Sequence, residues 1–285
     1  MKGIKALDKN MTCRGFKFEE NKIYEEKEAV ICKKGFHFCE NPFDVLTYYS
    51  LCDSEFLEIE ALGDIDKQKN GDSKRCTTKI KIGVKIGLDG FVKAAVNFLI
   101  DLCKKDNDYT GEFNKQAGSG DYCKQSSSGA YCQQASAGLS SQQASLGDYC
   151  KQACSGDYCK QASSGDYSQQ AGSGDYCHQA SAGYSCKQSS SGAYCQQASA
   201  GLSSQQASLG DYCNHILNGK NSVAAATGVN STIKGKKGCW ITLAEWERKD
   251  GKMVPVCVKS AKIDGKKIKE DVFYKLKGGK FIEVS

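Results

Sequence analysis

The sequence predicts a mainly β protein: a β-solenoid that follows an α+β module and precedes an antiparallel β module. Glycine recurs at every ninth residue from Gly111 to Gly228. The other positions of the unit also keep their residue types, as in the unit G-D-Y-C-K-Q-A-S-S that begins at Gly156. A repeat of fixed length indicates stacked units that bury surface only against their neighbours. The expected boundaries are residues 1–110, 111–236 and 237–285.

The order of residues within the unit predicts which side chains face inward. With glycine as position 1, Tyr or Phe is common at position 3, Cys or Ser at position 4, and Lys or Gln at position 5. Position 6 is Gln in every unit from Gln116 to Gln206. Alternate residues of a strand face opposite sides, and a lysine is not buried unpaired in a narrow core. We therefore place Cys, Ser and Gln inside and the Tyr/Lys face outside, with glycine supplying a positive φ at the corner.

The length of the unit predicts two units per coil. Nine residues are too few for one turn of a coil, so the repeat should give about seven coils, roughly 33 Å long at ~4.8 Å per coil. Cys186–Cys213 nearly copies Cys123–Cys150, displaced by an odd number of units, so both sheets must accept the same residues. A helix would carry a costly glycine at every ninth residue. Disorder would not preserve residue type at each position.

The first module should contain two hairpin strands, two helices and two longer strands. The hairpin spans Met11–Phe18 and Asn21–Tyr24, and Asn41 caps a helix that begins at Pro42 and runs to about Tyr49. The longer strands are residues 55–61 and 77–86, where apolar residues alternate.

The second helix should begin at Asp89 and cover the first coil of the solenoid. It carries an apolar stripe that includes Phe91, Phe98 and Leu102, and the end of a solenoid needs a cover for its unpaired strand edges. At the other end, the last repeat units become apolar. They lead into an antiparallel module whose predicted strands are Cys239–Trp246, Val254–Ala261, Phe273–Leu276 and Lys280–Val284.

Cysteine, charge and hydropathy limit the compartment and the class of partner. The chain has 17 cysteines, but in the repeat cysteine interchanges with serine, which indicates small inward thiols that are reduced. No apolar run approaches the ~20 residues of a membrane span, and the start lacks the apolar region of a signal peptide. The net charge is +6, a modest excess that makes nucleic acid an unlikely partner. We expect a cytoplasmic protein with no membrane partner.

Segments in all three regions carry recognisable motifs. These are Cys13–Phe18, Gly35–Pro42 with Tyr48–Tyr49, the G-D-Y-[CS] repeats, Lys262–Lys269, Phe273–Tyr274 and Phe281–Val284. Together they resemble a family of phage and prophage proteins of unknown function. The resemblance implies a viral or prophage origin, and hence the host cytoplasm or the virion as location, but little chemistry.

One candidate site in the first module resembles the pocket of ADP-ribosyltransferases. Arg14 would hold the dinucleotide phosphates, and Glu58 and Glu60 would supply the paired glutamates, with His37 on the segment that leads from strand to helix. Only 46 residues separate Arg14 from Glu60, which is short for that fold, and alternating glutamates usually form the solvent face of a strand. The related alternative is a nucleotide-binding module that sequesters a host signalling nucleotide.

Two metal hypotheses are weaker. Cys32, His37 and Cys39 contain zinc-ligand types, but their spacing is not one of the usual zinc patterns. Calcium-binding nonapeptides carry a second glycine and a later aspartate, whereas here aspartate follows the glycine directly, as at Asp121. We therefore expect neither metal nor cofactor.

The sequence as a whole favours a non-enzymatic structural or interaction protein over an enzyme. Its solenoid would present a regular surface of Tyr, Lys and Gln for a protein, for a glycan or for self-association. Alternate units should bring their tyrosines into rows, which either bind a partner or only stabilise the sheet. The predicted rows contain Tyr122, Tyr158, Tyr176, Tyr194 and Tyr212 on one sheet, and Tyr131, Tyr149 and Tyr167 on the other.

Overall fold

The structure is a computed structural model that describes residues 1–67, 72–103 and 112–284. The chain divides into two compact units, Met1–Phe98 and Leu99–Ser285. Gly111, the first glycine of the repeat, lies outside the described residues, as does the side chain of Leu102.

The first unit is built on a sheet of seven strands in the order β4-β9-β6-β1-β5-β8-β7, and a two-stranded hairpin, β2-β3, stands beside it. Its core holds aromatic and branched side chains, among them Leu7, Phe36, Leu57 and Ile80. The elements are β1 (Lys2–Leu7), β2 (Thr12–Cys13), β3 (Phe16–Lys17), β4 (Ile23–Glu25), β5 (Phe36–Cys39), α1 (Pro42–Val45), β6 (Glu55–Ala61), β7 (Ile65–Lys67), β8 (Lys74–Thr77), β9 (Lys79–Lys85) and α2 (Gly87–Cys103).

Several of these elements differ from the sequence prediction. β6 has the predicted bounds, but α1 ends at Val45 and the chain then continues in turns. The cap of α1 is as predicted, because the Asn41 side chain accepts from the backbone N–H of Phe43 at 3.1 Å. The alternation analysis missed β1, which pairs along its whole length with β6.

Helix α2 packs its first half on the sheet of its own unit. Phe91 stacks on Phe56 of β6 with the ring centroids 4.2 Å apart, and Phe98 lines a cleft together with Gly3 and Glu58. The expectation that Phe91 packs on the first coil is therefore wrong. The helix begins two residues after the end of β9. Its first turns therefore fold back over the sheet, where Phe91 reaches β6, the strand beside β9.

The second unit contains the solenoid, and its coils contain two nine-residue units, as predicted. Each strand pairs in parallel with the strand 18 residues later, in register. About seven coils result. Odd and even units form two sheets, which we call the first sheet (β10, β12, β14, β16, β18, β20 and β22) and the second sheet (β11, β13, β15, β17, β19, β21 and β23). The strands are β10 (Lys115–Gly118), β11 (Lys124–Ser127), β12 (Gln133–Ser136), β13 (Gln142–Ser145), β14 (Lys151–Cys154), β15 (Lys160–Ser163), β16 (Gln169–Gly172), β17 (His178–Ser181), β18 (Lys187–Ser190), β19 (Gln196–Ser199), β20 (Gln205–Ser208), β21 (Asn214–Leu217), β22 (Val223–Ala226) and β23 (Thr232–Gly235).

Glycine is required at position 1 for close approach, not for a positive φ. From Gly138 to Gly228 the position-1 glycines avoid the left-handed region, and an added Cβ would meet the backbone of the coil before. At Gly165, for example, it would lie 2.0 Å from the carbonyl oxygen of Gly147. The left-handed conformation belongs instead to position 3, where Tyr176 has φ 57° and Ser140 has φ 55°. The corner therefore turns at the tyrosine, and the prediction for glycine was wrong about the cause.

The interior is polar and is organised by two amide ladders. After the first rung, the side chain of each ladder glutamine donates to the glutamine one coil earlier and to a backbone carbonyl of the opposite sheet; Gln161 reaches Gln143 at 2.9 Å and Ala171 at 3.1 Å. Most of the buried amide groups of the ladders thereby find partners without a large apolar core. The ladders are Gln125, Gln143, Gln161, Gln179 and Gln197, and Gln116, Gln134, Gln152, Gln170, Gln188 and Gln206.

The C-terminal strands extend both sheets of the solenoid. Trp240 at the start of β24 (Trp240–Lys249) pairs in parallel with Val223 of β22, while Tyr274 of β26 (Phe273–Lys277) pairs with Ile233 of β23. Each is followed by an antiparallel partner, β25 (Lys252–Lys262) and β27 (Lys280–Val284). Apolar residues, including Leu217, Ile241 and Tyr274, fill the space between the sheets here. This antiparallel module is as predicted, and it closes the last coil.

Candidate functional site

A cleft in the first unit brings together two of the residues that the sequence singled out. Arg14 and His37 both line this cleft, which has a volume of about 770 Å³. Arg14 is at the tip of the β2–β3 hairpin, where Arg14 and Gly15 have φ 50° and 80° and form a tight turn. His37 lies on β5, between β1 and β8. The fold thus places a turn residue and a strand residue at one opening.

The base of the cleft holds a buried cation, Lys5. Its side chain is 5% exposed, and its ammonium group donates to the backbone carbonyl of His37 at 2.8 Å. The same group lies 4.9 Å from the centre of the Phe18 ring. Burial lowers the pKa of Lys5 from its ordinary value. Within the described ranges, no carboxylate forms an ion pair with it.

His37 is held as a neutral imidazole. Its Nε2 accepts a hydrogen bond from the backbone N–H of Cys32 at 2.8 Å, which requires that nitrogen to carry no proton. Burial, and after it the charges of Lys5, Lys74 and Arg14, lower the pKa of His37 to about 4. Among the described residues, no group of three or more His, Cys, Asp or Glu side chains is placed to hold a metal.

One wall of the cleft is aromatic. Phe16 is 45% exposed and makes edge-to-face contacts with Phe18, Tyr24 and Phe36 at centroid distances of 4.8, 5.3 and 6.1 Å. On another side Lys74 lies 4.1 Å from the ring centre of Tyr48. The aromatic rings hold one another in place, so this wall is preformed.

Glu58 and Glu60 are not part of this cleft. On β6 the residues Leu57, Ile59 and Ala61 enter the core, so Glu58 and Glu60 point to the other face of the strand and are exposed. They line a separate cleft of about 520 Å³ near Lys81 and Phe98. The structure therefore does not bring them together with Arg14 and His37 as the transferase hypothesis requires.

The solenoid carries the second group of predicted surface residues, the tyrosine rows. One row stacks Phe113, Tyr131, Tyr149 and Tyr167 at centroid distances of 5.0 to 5.1 Å with nearly parallel planes. The other stacks Tyr158, Tyr176, Tyr194 and Tyr212 at 4.9 to 5.0 Å. Ser140 interrupts the second row, so Tyr122 stands apart. Every ring in both rows is at least 40% exposed.

The first sheet exposes the expected Lys and Gln along its outer face from Lys115 to Gln205, whereas the second sheet does so at Lys124. Lys115, Gln133 and Lys151 are exposed there, next to a shallow groove of about 950 Å³ along small residues such as Ala135 and Ala153. In the second sheet Lys124 is exposed, Gln142 and Lys160 are buried, with Lys160 at 8% exposure, and the matching residues of the later strands are half-buried. The two sheets accept the same residue types but present different outer surfaces.

The repeat cysteines face inward with one departure from the expected reduced state. Cys159, Cys177, Cys195 and Cys213 form a buried column. Cys154, at position 8 of its unit, faces Cys159 across the corner, and the structure joins the two by a disulfide with Cα atoms 6.4 Å apart. Other units have Ser, Gly, Ala or Leu in place of Cys154, so no second pair of this kind forms among the described units.

Sequence reasoning missed Lys5, Lys74 and the wall formed by Phe16. Lys5 had a signal that was not used: it is the single charged residue within Ile4–Leu7, a segment that reads as a buried strand. Lys74 carried no such signal, because only the pairing of β5 with β8 brings it to the cleft.

Comparison with known proteins adds a family match to the first unit. Residues 1–94 match the family model described as a domain of unknown function (DUF7666). No curated protein matches the chain, and no solved structure matches it. Within the described ranges, no helix combines the length and apolar character needed to cross a membrane.

Proposed function

We propose that the protein is a non-enzymatic interaction scaffold whose solenoid presents its tyrosine rows to a protein partner. The observation that carries this proposal is that the rows place eight aromatic rings at exposed corners, spaced about 5 Å apart. Tyrosine is enriched at protein interfaces because it offers a large rigid contact area and a polar hydroxyl.

The fold alone does not account for tyrosine at these corners. Ser140, Ser185 and Ser203 occupy the same corner with φ between 52° and 58°. A left-handed backbone favours Gly, Asn or Asp over bulky residues. Serine adopts the same corner conformation in this chain, so tyrosine is not needed to form the corner. The presence of tyrosine at most of these corners therefore supports a role in binding.

The stacking favours a protein over a glycan. Sugars bind aromatic residues by lying on a ring face, but within each row the faces are covered by the neighbouring rings with interplanar angles of 5° to 9°. What remains accessible is a line of ring edges and hydroxyl groups at one-coil spacing. Next to one row lies the exposed Lys and Gln face of the first sheet with its groove. A protein surface with regularly spaced hydrogen-bonding groups fits this array.

The resemblance of the chain to phage and prophage proteins supports a setting in an infected host cell. There the partner would be a host protein, a virion protein or a second copy of this chain. The match of residues 1–94 to a domain of unknown function is compatible with each of these.

The test compares two variants that remove exposed apolar surface inside and outside the rows. The first replaces Tyr131, Tyr149, Tyr176 and Tyr194 with serine, and the control replaces Leu139 and Leu202, which are exposed but lie outside the rows and the groove. Cross-linked complexes from infected and uninfected cells are identified by mass spectrometry, with sedimentation to detect self-association and a glycan array.

We expect one protein, or the chain itself, to bind the wild type and the control variant. Its affinity for the tyrosine variant should fall by about tenfold or more, because aromatic anchors dominate interface energies. Equal binding by all three proteins would contradict the proposal. Glycan binding that the tyrosine variant loses would replace the protein partner with a carbohydrate.

A further inference from the structure

The cleft of the first unit has the size of a small-molecule site and an unusual charge. Its volume of about 770 Å³ lies within the usual range for ligand pockets. Six basic side chains line it against two acidic ones, Glu26 and Glu28, and Glu28 is already paired with Lys34 at 3.0 Å. The cleft is therefore strongly positive, although the first unit as a whole has no such excess.

Lys5 is the strongest indication that the cleft binds an anion. A buried ammonium group is normally paired with a carboxylate, because taking a charge out of water is unfavourable. Lys5 has instead one backbone carbonyl and the face of Phe18, and the described residues offer it no ion pair. An ammonium group has three donors, so Lys5 can still bind an anion that enters the cleft.

Arg14 and Lys74 approach the same space. Arg14 is exposed at the hairpin tip and has no carboxylate partner among the described residues. Lys74 lies over the Tyr48 ring, whose hydroxyl group donates to Asp72 at 2.6 Å. Both cations line the same cleft as His37. An anion with several oxygens could be bound by Lys5, Arg14 and Lys74 together.

The aromatic wall indicates what accompanies the anion. Phe16 is half-exposed at the cleft and is fixed by its contacts with Phe18, Tyr24 and Phe36. An exposed flat ring at the edge of a positive cleft is suited to stacking a planar heterocycle.

We propose that this cleft binds a nucleotide, with its phosphate on Lys5 and Arg14 and its base against Phe16. The site lies within residues that match a domain of unknown function, and it does not depend on the tyrosine rows of the solenoid. His37 faces the phosphate as a neutral group, so it does not compete with Lys5 and Arg14 for the anion. A change in its pKa can therefore be used to detect binding.

The test measures binding of AMP, ATP, adenosine and pyrophosphate to the full-length protein by calorimetry. Lys5→Met and Phe16→Ser probe the two halves of the site. Lys17→Met is the matched control, because Lys17 is exposed on the same hairpin but does not line the cleft. Arg14→Gln is a second charge variant on the surface, which keeps the test valid if Lys5→Met does not fold.

We expect AMP or ATP to saturate the protein below about 1 mM, and Lys5→Met and Arg14→Gln each to weaken binding by about tenfold. Phe16→Ser should weaken AMP but not pyrophosphate, and Lys17→Met should bind as the wild type does. The NMR-monitored pKa of His37 should rise when AMP binds.

Two outcomes would overturn the assignment. The first is no saturable binding of any phosphate compound, or adenosine binding as tightly as AMP, which would rule out a phosphate site. The second is that pyrophosphate binds as tightly as ATP and that Phe16→Ser weakens the binding of neither AMP nor ATP, which would leave a site for an anion without a place for the base.

Discussion

The side-chain amide nitrogen of Gln161 lies 2.9 Å from the amide oxygen of Gln143, its counterpart one coil earlier. The oxygen of Gln161 in turn accepts from Gln179 at 2.8 Å. Each glutamine is thus both donor and acceptor in a chain that runs along the solenoid axis. Neighbouring bonds of such a chain polarise and strengthen one another, so the ladder supplies cohesion in a core with few large apolar side chains.

Replacing Gln161 with leucine should be more destabilising than the same change at Gln206. Gln161→Leu removes the donor to the oxygen of Gln143 and to the carbonyl of Ala171. It also removes one of the two acceptors of the Gln179 amide, which keeps its bond to the carbonyl of Ser189. Gln206 is the last rung of the other ladder, and within the described residues its own oxygen has no donor, so its loss removes no acceptor from a later rung. At about 1–3 kcal/mol for each buried unsatisfied group, the difference should be at least ~1 kcal/mol. Urea unfolding of both variants measures it, and equal losses would show that the ladder contributes nothing beyond single bonds.

Replacing His215 with glutamine should stabilise the protein and make it less sensitive to acid. His215 stands where the ladder through Gln197 would continue; among the described residues, neither the oxygen of Gln197 nor Nδ1 of His215 has a partner. Nε2 of His215 contacts the Ser208 hydroxyl at 2.8 Å. A glutamine can donate to Gln197, which is worth about 1 kcal/mol.

The acid sensitivity has a defined sign. Burial lowers the pKa of His215 to about 3, while the unfolded chain has a histidine pKa of about 6.5. Between these values the unfolded state binds the extra proton, so stability falls as the pH is lowered from about 6.5 to about 3. The loss between pH 7 and about pH 4.5 should be smaller in His215→Gln. An identical loss in both proteins would show that His215 is not buried as a neutral group.

Gly165→Ala should disrupt the solenoid, whereas Gly172→Ala should be tolerated. A Cβ at Gly165 would lie 2.0 Å from the carbonyl oxygen of Gly147, which belongs to the fixed backbone of the previous coil. At Gly172 the nearest atoms, in Cys177 and Gln179, are 3.5 Å away, an ordinary contact. We expect Gly165→Ala to cost several kcal/mol, about the upper range for point substitutions, and Gly172→Ala less than ~1 kcal/mol. Thermal unfolding compares the two variants; a tolerated Gly165→Ala would contradict the close approach of the corners.

Thiol labelling should separate the solenoid cysteines from those of the surface. Cys32 is exposed and should react at once, followed by the half-buried Cys13, Cys123 and Cys257. The buried repeat thiols should stay unlabelled, and burial also raises the pKa of Cys150 to about 11, which keeps the reactive thiolate scarce. Denatured protein should show two fewer thiols without reductant than with it, because Cys154 and Cys159 are paired. Immediate labelling of the buried repeat cysteines in the native protein would show that they face outward, which would contradict the structure.

The sequence was most informative where a physical requirement repeats. Side chains alternate between the two faces of a strand, and lysine is excluded from the core, so the face that carries Gln161 and its equivalents has to be the inner one. The 18-residue separation of paired strands follows from the nine-residue period of the glycines. The role of Gly165 was misjudged, because a sequence does not distinguish a glycine that needs positive φ from one that needs space. The cleft depends on pairing between distant strands, which brings Lys5 to His37, and no local pattern contains that information.

The most direct test of the rigid polar core is hydrogen exchange of the glutamine side-chain amides, followed by NMR. The chain provides its own control, because Gln133 and Gln169 occupy exposed positions of the strands whose Gln134 and Gln170 are buried in the ladder. The account predicts that Gln134, Gln152, Gln161 and Gln170 exchange only through opening of a coil, at least about a hundredfold more slowly than Gln133 and Gln169. Equal, fast exchange of both sets would show that the ladders do not hold the coils together.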